Sequence, residues 1–142
     1  MKQFARLLAC TWLVVGCTAT STAGLSGRAF DSQVVTDNGN PRTLVGTQVL
    51  TLSFDDRNGV GASAGCNLLG GTYAVDDGKL VLREAATTMK GCDTERHAQD
   101  DWYFHFLQSS PTVTIEGDRL TLQGSGVAIQ YRVRDEATSA AP

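Results

Sequence analysis

No run of this chain is long and apolar enough to stay in a bilayer, no cluster of lysine and arginine interrupts it, and no internal repeat divides it. The first absence leaves no spanning helix, which needs roughly 20 mostly apolar residues. The second excludes a nucleic-acid binder, whose affinity comes mainly from neutralising phosphates. It also excludes adhesion to anionic lipid by charge alone. A GxSxG elbow and an HExxH helix are both missing, so the common hydrolase signatures are absent.

What is present begins at the first residue. Lys2 and Arg6 form a short basic start, residues 7–15 (LLACTWLVV) an uncharged apolar run, and Gly16, Cys17 and Thr18 a small-residue end. That order is the layout of a secretory signal. Its apolar core is about half the length of a spanning helix. Val14-Val15-Gly16-Cys17 resembles the lipobox of bacterial lipoproteins. The resemblance implies that the Cys17 thiol receives a diacylglycerol thioether and becomes the first residue after cleavage. Two or more acyl chains anchor stably, each buried methylene contributing about 0.8 kcal/mol. The alternative is an ordinary signal cut near Ala19 or Ala23, with Cys17 incidental. Cys10 falls inside the removed segment and has no role. The expectation is a protein tethered to a membrane on its extracytoplasmic side.

Removing the first 16 of 142 residues leaves 126, enough for one compact domain and not two. Lys2 and Arg6 leave with the signal, so 10 basic residues face 15 acidic ones and the mature balance is −5. Cys66 and Cys92 are the two cysteines that remain. An even pair in an exported domain reads as a disulfide. Closing a loop of 26 residues stabilises by about 3.5 kcal/mol in the chain-entropy model. The rivals are a metal site and a catalytic thiol. Two thiols without CxxC or a histidine at ligand spacing make a poor zinc site, and neither neighbourhood shows an evident base.

Residues 17–24 form a small, polar tether, residues 25–135 the domain, and residues 136–142 (EATSAAP) a tail expected to be disordered. Within the domain the pattern is mostly short β. Residues 48–54 (QVLTLSF) alternate, with Leu50, Leu52 and Phe54 on one side, the mark of a half-buried strand. Further strands are expected at residues 28–35, 60–64, 69–75, 79–82, 112–116, 119–123 and 127–133. Turns rich in Asp, Asn and Gly separate several of them. Residues 94–109 (TERHAQDDWYFHFLQS) break the β rhythm with no Gly or Pro. Asp93 or Thr94 can cap a helix there, and Ser110-Pro111 stops it. On that helix Ala98, Trp102, Tyr103, Phe106 and Leu107 share a broad apolar face. The expected fold is α+β: a small antiparallel, partly closed β-barrel-like sheet with one packed helix.

The stretches around the two cysteines carry a second resemblance. GVGASAGCNLLGGTYAV is similar to the Gly-Cys-Asn segment of the META domain family, the HslJ-like proteins. LREAATTMKGCD resembles that family's Thr-Thr-(Arg or Lys)-Met-x-Cys segment, with Met89 and Lys90 transposed or shifted. The likeness spans residues 25–134. It implies a small β-rich fold with a helix, found often in exported bacterial proteins and linked in some members to heat or antibiotic stress. It brings no catalytic residue set.

Several polar groups invite a sharper reading and have a plainer one. Residues 65–72 mimic a phosphate loop, but Gly71 stands where its lysine must be; the glycines suit bulges in a curved sheet. His97, Asp101 and His105 line one helical stripe, which could hold a metal. That stripe is expected to face water, where nothing fixes the ligands. Asp55, Asp56, Asp76 and Asp77 suggest calcium or a carboxylate pair, yet each doublet sits at a turn that favours Asp. Asn67 either bonds strand backbones across a bulge or faces a ligand groove.

The sequence therefore points to a non-enzymatic binding module in envelope stress or antibiotic tolerance, with an unidentified envelope partner. No cofactor, metal or nucleic acid is expected, and the chain is read as a monomer. The alternative is an envelope inhibitor of a lysozyme-like hydrolase, since an acidic body suits a basic enzyme.

Overall fold

Two-residue turns with both central residues at positive φ set the rhythm of this chain. They are Asn38–Gly39 (φ 49° and 79°), Asp77–Gly78 (48° and 72°) and Ser125–Gly126 (51° and 81°). Such turns match the right-handed twist of the strands they join. The computed structural model describes residues 24–135. The signal segment, Cys17, the tether up to residue 23 and the tail from residue 136 lie outside the described residues.

The elements in order are β1 (Arg28–Asp37), β2 (Asn40–Pro41), β3 (Thr51–Phe54), β4 (Gly59–Ser63), β5 (Leu68–Asp76), β6 (Lys79–Thr87), α1 (Thr94–Gln108), β7 (Thr112–Glu116), β8 (Arg119–Gly124) and β9 (Val127–Val133). Each long strand pairs antiparallel with its neighbour in sequence. β1 then pairs with β9 from Phe30↔Val133 to Asp37↔Val127 and closes the sheet into an eight-strand barrel. β1's other edge serves β3 at one end and the two-residue β2 at the other. One seam is weak: β6 and β7 share only the pair Lys79↔Thr112.

Alternation along the strands builds the core. Leu52, Phe54, Leu69, Tyr73, Leu80, Leu120, Leu122, Ile129 and Tyr131 point inward and are buried. Phe54 lies between Phe30 and Tyr73, at ring separations of 6.1 and 4.6 Å. Burying the aliphatic members alone is worth about 1.5–3 kcal/mol each. Deep inside, the Tyr103 hydroxyl donates to the Thr51 carbonyl (3.1 Å), and the Tyr131 hydroxyl meets that of Tyr103 at 3.0 Å.

The expected α+β barrel with one helix is the fold, and its differences from the sequence reading are local. β6 runs five residues past its expected end. Its last five residues are all exposed, so no alternation marks them. Glu84 (φ 52°) also bends the strand at a bulge opposite residues 70–72. Gly71 sits in that bulge, where a Cβ would stand 2.8 Å from the Arg83 carbonyl oxygen. The glycines here shape a strand, not a phosphate loop.

The helix begins at its expected cap: the Asp93 carboxylate accepts from the Arg96 N–H at 2.9 Å. Its buried face is rotated from the expected one. Ala98 is exposed and Trp102 only half-buried, the latter under the Arg42 guanidinium at 3.9 Å. Gln99, Asp100, Tyr103, Phe104, Phe106 and Leu107 face inward. Among the described residues no helix is long and apolar enough to cross a membrane.

Burial raises the pKa of both Tyr103 and Tyr131 above the usual tyrosine range. In the unfolded chain these phenols lose their protons near pH 10, while the folded state holds them. The unfolded state then binds fewer protons, so folding stability is fully present below about pH 10 and falls as pH rises beyond it. Urea denaturation between about pH 8 and 11.5 should show that fall. Tyr131→Phe should flatten it, and an unchanged slope in the variant would count against the pair.

Candidate functional site

The two cysteine segments converge at one end of the barrel. Cys66 lies between β4 and β5, and Cys92 between β6 and α1. Their disulfide, with Cα atoms 6.3 Å apart, ties these connections together across the base of the β5–β6 hairpin.

Asn67 organises what surrounds it. It is 5% exposed, and its Oδ1 accepts from the Thr88 hydroxyl (3.0 Å) and the Lys90 N–H (2.7 Å). Its Nδ2 reaches the Cys66 sulfur at 3.4 Å. Its own backbone N–H donates to Asp100 Oδ2 on α1 at 2.7 Å. One residue thus joins the start of β5, the loop after β6 and the helix.

Gln99 makes the companion contact. Its amide nitrogen donates to the Val45 and Ala64 carbonyls (3.0 and 2.7 Å), and its oxygen accepts from the Val45 N–H (2.7 Å). Neither Gln99 nor Asp100 was expected in the buried face. The available signal was spacing: both fall three or four residues before Tyr103, on the side that also holds Phe106 and Leu107.

The stripe of His97, Asp101 and His105 divides. His97 is half-buried, and its Nε2 accepts from the Cys92 N–H at 3.4 Å. Its ring nitrogen and the two sulfurs lie within 4.8 Å of one another. A histidine therefore does stand near the cysteine pair, five residues after Cys92. While the sulfurs are bonded to each other they are not thiolates, the form that binds metal or attacks.

Asp101 and His105 stay exposed and border a cleft of about 360 Å³ between α1 and the end of β6, lined also by Asn67, Thr87, Asp100 and Gln108. A second depression, of about 650 Å³, is lined by Leu68, Leu69, Gly70 and Ala86 among others. Asp55 is a turn residue: its Oδ1 accepts from the Arg57 and Gly59 N–H groups at 2.8 and 2.7 Å.

The fold and its cysteine clamp define a class: a small antiparallel barrel plugged by one helix and stapled at the helix entry. The META domain family matches residues 23–136, and this chain belongs to it. No curated protein sequence matches the chain. Among solved structures, one known by NMR from Burkholderia xenovorans has 18% identity and a TM-score of 0.66, covering 94% of this chain and 99% of its own. A second NMR structure has 21% identity and a TM-score of 0.60, covering 80% and 94%. A crystal structure of a duf4847 family protein from Bacteroides vulgatus has 11% identity and a TM-score of 0.57, covering 78% and 95%. These likenesses concern the fold.

The clamp makes a stability prediction. Replacing both cysteines by serine should cost about 3–4 kcal/mol, and Asn67→Ala about 1–3 kcal/mol. Because the groups touch, the combined variant should depart from additivity by at least about 0.5 kcal/mol. Urea denaturation of the four proteins measures this, and a neutral Asn67→Ala would remove Asn67 from the clamp.

Proposed function

We propose that this chain is a non-enzymatic, lipid-tethered binding module of the cell envelope that supports tolerance of envelope or antibiotic stress. The observation that carries the reading is the lipobox-like run Val14-Val15-Gly16-Cys17 ahead of a META domain. The polar side chains beside its cysteines are occupied in holding the fold. Asn67 and Gln99 bond backbone and neighbouring side chains, which leaves them little freedom to act on a substrate. The tether supplies location and the domain supplies a surface.

The full chain expressed in a bacterial host should yield a mature protein beginning at diacylglyceryl-modified Cys17. Cys17→Ser should be released from membranes. Mass spectrometry and fractionation read both. Crosslinking of the intact lipoprotein should capture an envelope protein, and a deletion strain should lose tolerance to heat or antibiotic. Recovery of no partner, together with an indifferent deletion strain, would overturn the reading.

The mature charge of −5 supports a second reading, inhibition of a basic lysozyme-like hydrolase through electrostatic steering. Assays against basic muramidases test it. Full muramidase activity in the presence of excess protein would exclude it.

A further inference from the structure

Asp100 is 2% exposed, and its two carboxylate oxygens are treated unequally. Oδ2 receives the Asn67 N–H at 2.7 Å. Oδ1 is buried and has no hydrogen-bond partner among the described residues. A buried acceptor left unmade is costly, more so when charged. The helix position that carries it borders the cleft between α1 and β6.

The rest of the cleft lining continues the theme. Asp101 adds a second carboxylate, Gln108 an amide, His105 an imidazole, Thr87 a hydroxyl and Phe104 an aromatic ring, while no lysine or arginine lines the cleft. Neither Asp100 nor Asp101 belongs to an ion pair among the described residues. From this surplus of acceptors we infer that the cleft receives a guanidinium group, an arginine side chain on an extended segment of a partner protein.

Three features choose that occupant. A bare metal ion is disfavoured by spacing. The ligand atoms of Asp100, Asp101 and His105 do not gather within 4.8 Å of one another; the cluster that does so among the described residues is Cys66, Cys92 and His97. A guanidinium spreads five donors over a plane and bridges separated acceptors, and it also stacks on aromatic rings. The volume of about 360 Å³ suits a side chain better than an ion.

The adjoining strand supplies the route for an extended segment. Beyond Leu80, whose N–H donates to the Pro111 carbonyl, β6 has no strand on its outer edge among the described residues. Residues 83–87 are exposed, and Thr87 borders the cleft. An added strand on that edge gains main-chain hydrogen bonds and delivers its side chains at fixed intervals. This deepens the binding-module reading and rests on it.

The test uses the purified full-length domain with its disulfide intact. NMR amide shifts are followed on adding the peptide Ac-Thr-Val-Arg-Val-Thr-NH2, its Arg→Gln counterpart, and arginine amide. Saturable shifts centred on Asn67, Thr87 and residues 100–108 are expected with the arginine peptide. The glutamine peptide and arginine amide should each bind at least about tenfold more weakly. Asp100→Asn and Asp101→Asn should each weaken the arginine peptide at least about fivefold. Asp101 makes no hydrogen bond that the fold relies on, so its variant keeps the test valid if Asp100→Asn fails to fold.

No saturable shift, equal binding of the glutamine peptide, or indifference to Asp101→Asn would overturn the arginine assignment. Arginine amide binding as tightly as the peptide would overturn the partner-borne segment. A captured envelope protein whose binding ignores Asp101→Asn would sink the cleft and leave the binding module standing. Capture of no partner, with the peptide still bound, would do the reverse.

Discussion

A barrel of antiparallel strands satisfies its backbone everywhere except where two neighbours fail to pair, and here that place is the seam between β6 and β7. One residue pair joins them, and α1, which follows β6 and precedes β7 in the chain, is held to the barrel elsewhere. Apolar packing through Tyr103, Phe106 and Leu107 holds the C-terminal half of the helix. The N-terminal half is held by polar contacts. Gln99 grips the loop before β3 and the end of β4, and Asp100 grips the start of β5. A buried amide or carboxylate stabilises only when its partners stay in place, so the helix and the two cysteine loops specify one another. The Cys66–Cys92 bond then limits how far either loop can drift.

That arrangement gives both cysteine segments a structural task. Asn67 acts through its side chain on Thr88 and Lys90 and through its backbone on Asp100. Residues 20 or more positions apart in sequence meet there. The same packing leaves Asp100, which lines the cleft, with one oxygen committed and the other buried without a hydrogen-bond partner among the described residues.

Much of the fold was legible in the chain because β-alternation and turn chemistry are local. β7 and β9 have their expected bounds, and the helix starts after the Asp93 cap. Local signals failed where the tertiary environment decides. The last residues of β6 are exposed and bent by a bulge at Glu84, so they lack the alternation of a half-buried strand. Pro41 belongs to a two-residue strand that pairs β1 at its end, although Asp37-Asn38-Gly39-Asn40-Pro41 reads as turn alone. The helix face was misjudged because Gln99 and Asp100 look like solvent residues until Val45, Ala64 and Asn67 are placed opposite them. The disulfide followed from cysteine count; the nearness of His97 did not, since its stripe with Asp101 and His105 reads as one solvated face.

The closing pair β1–β9 also fixes a polarity for the molecule. Phe30 lies against Val133 and Arg28 against Phe54, so the chain enters and leaves at one rim, beside the 55–59 turn. β4 runs from that turn toward Cys66, which places the disulfide, Asn67 and the α1 cleft at the opposite pole. Residues 17–23 span at most about 25 Å when extended. The end of the barrel nearest the N-terminal segment in sequence is therefore the entry rim, and the stapled pole is the far one.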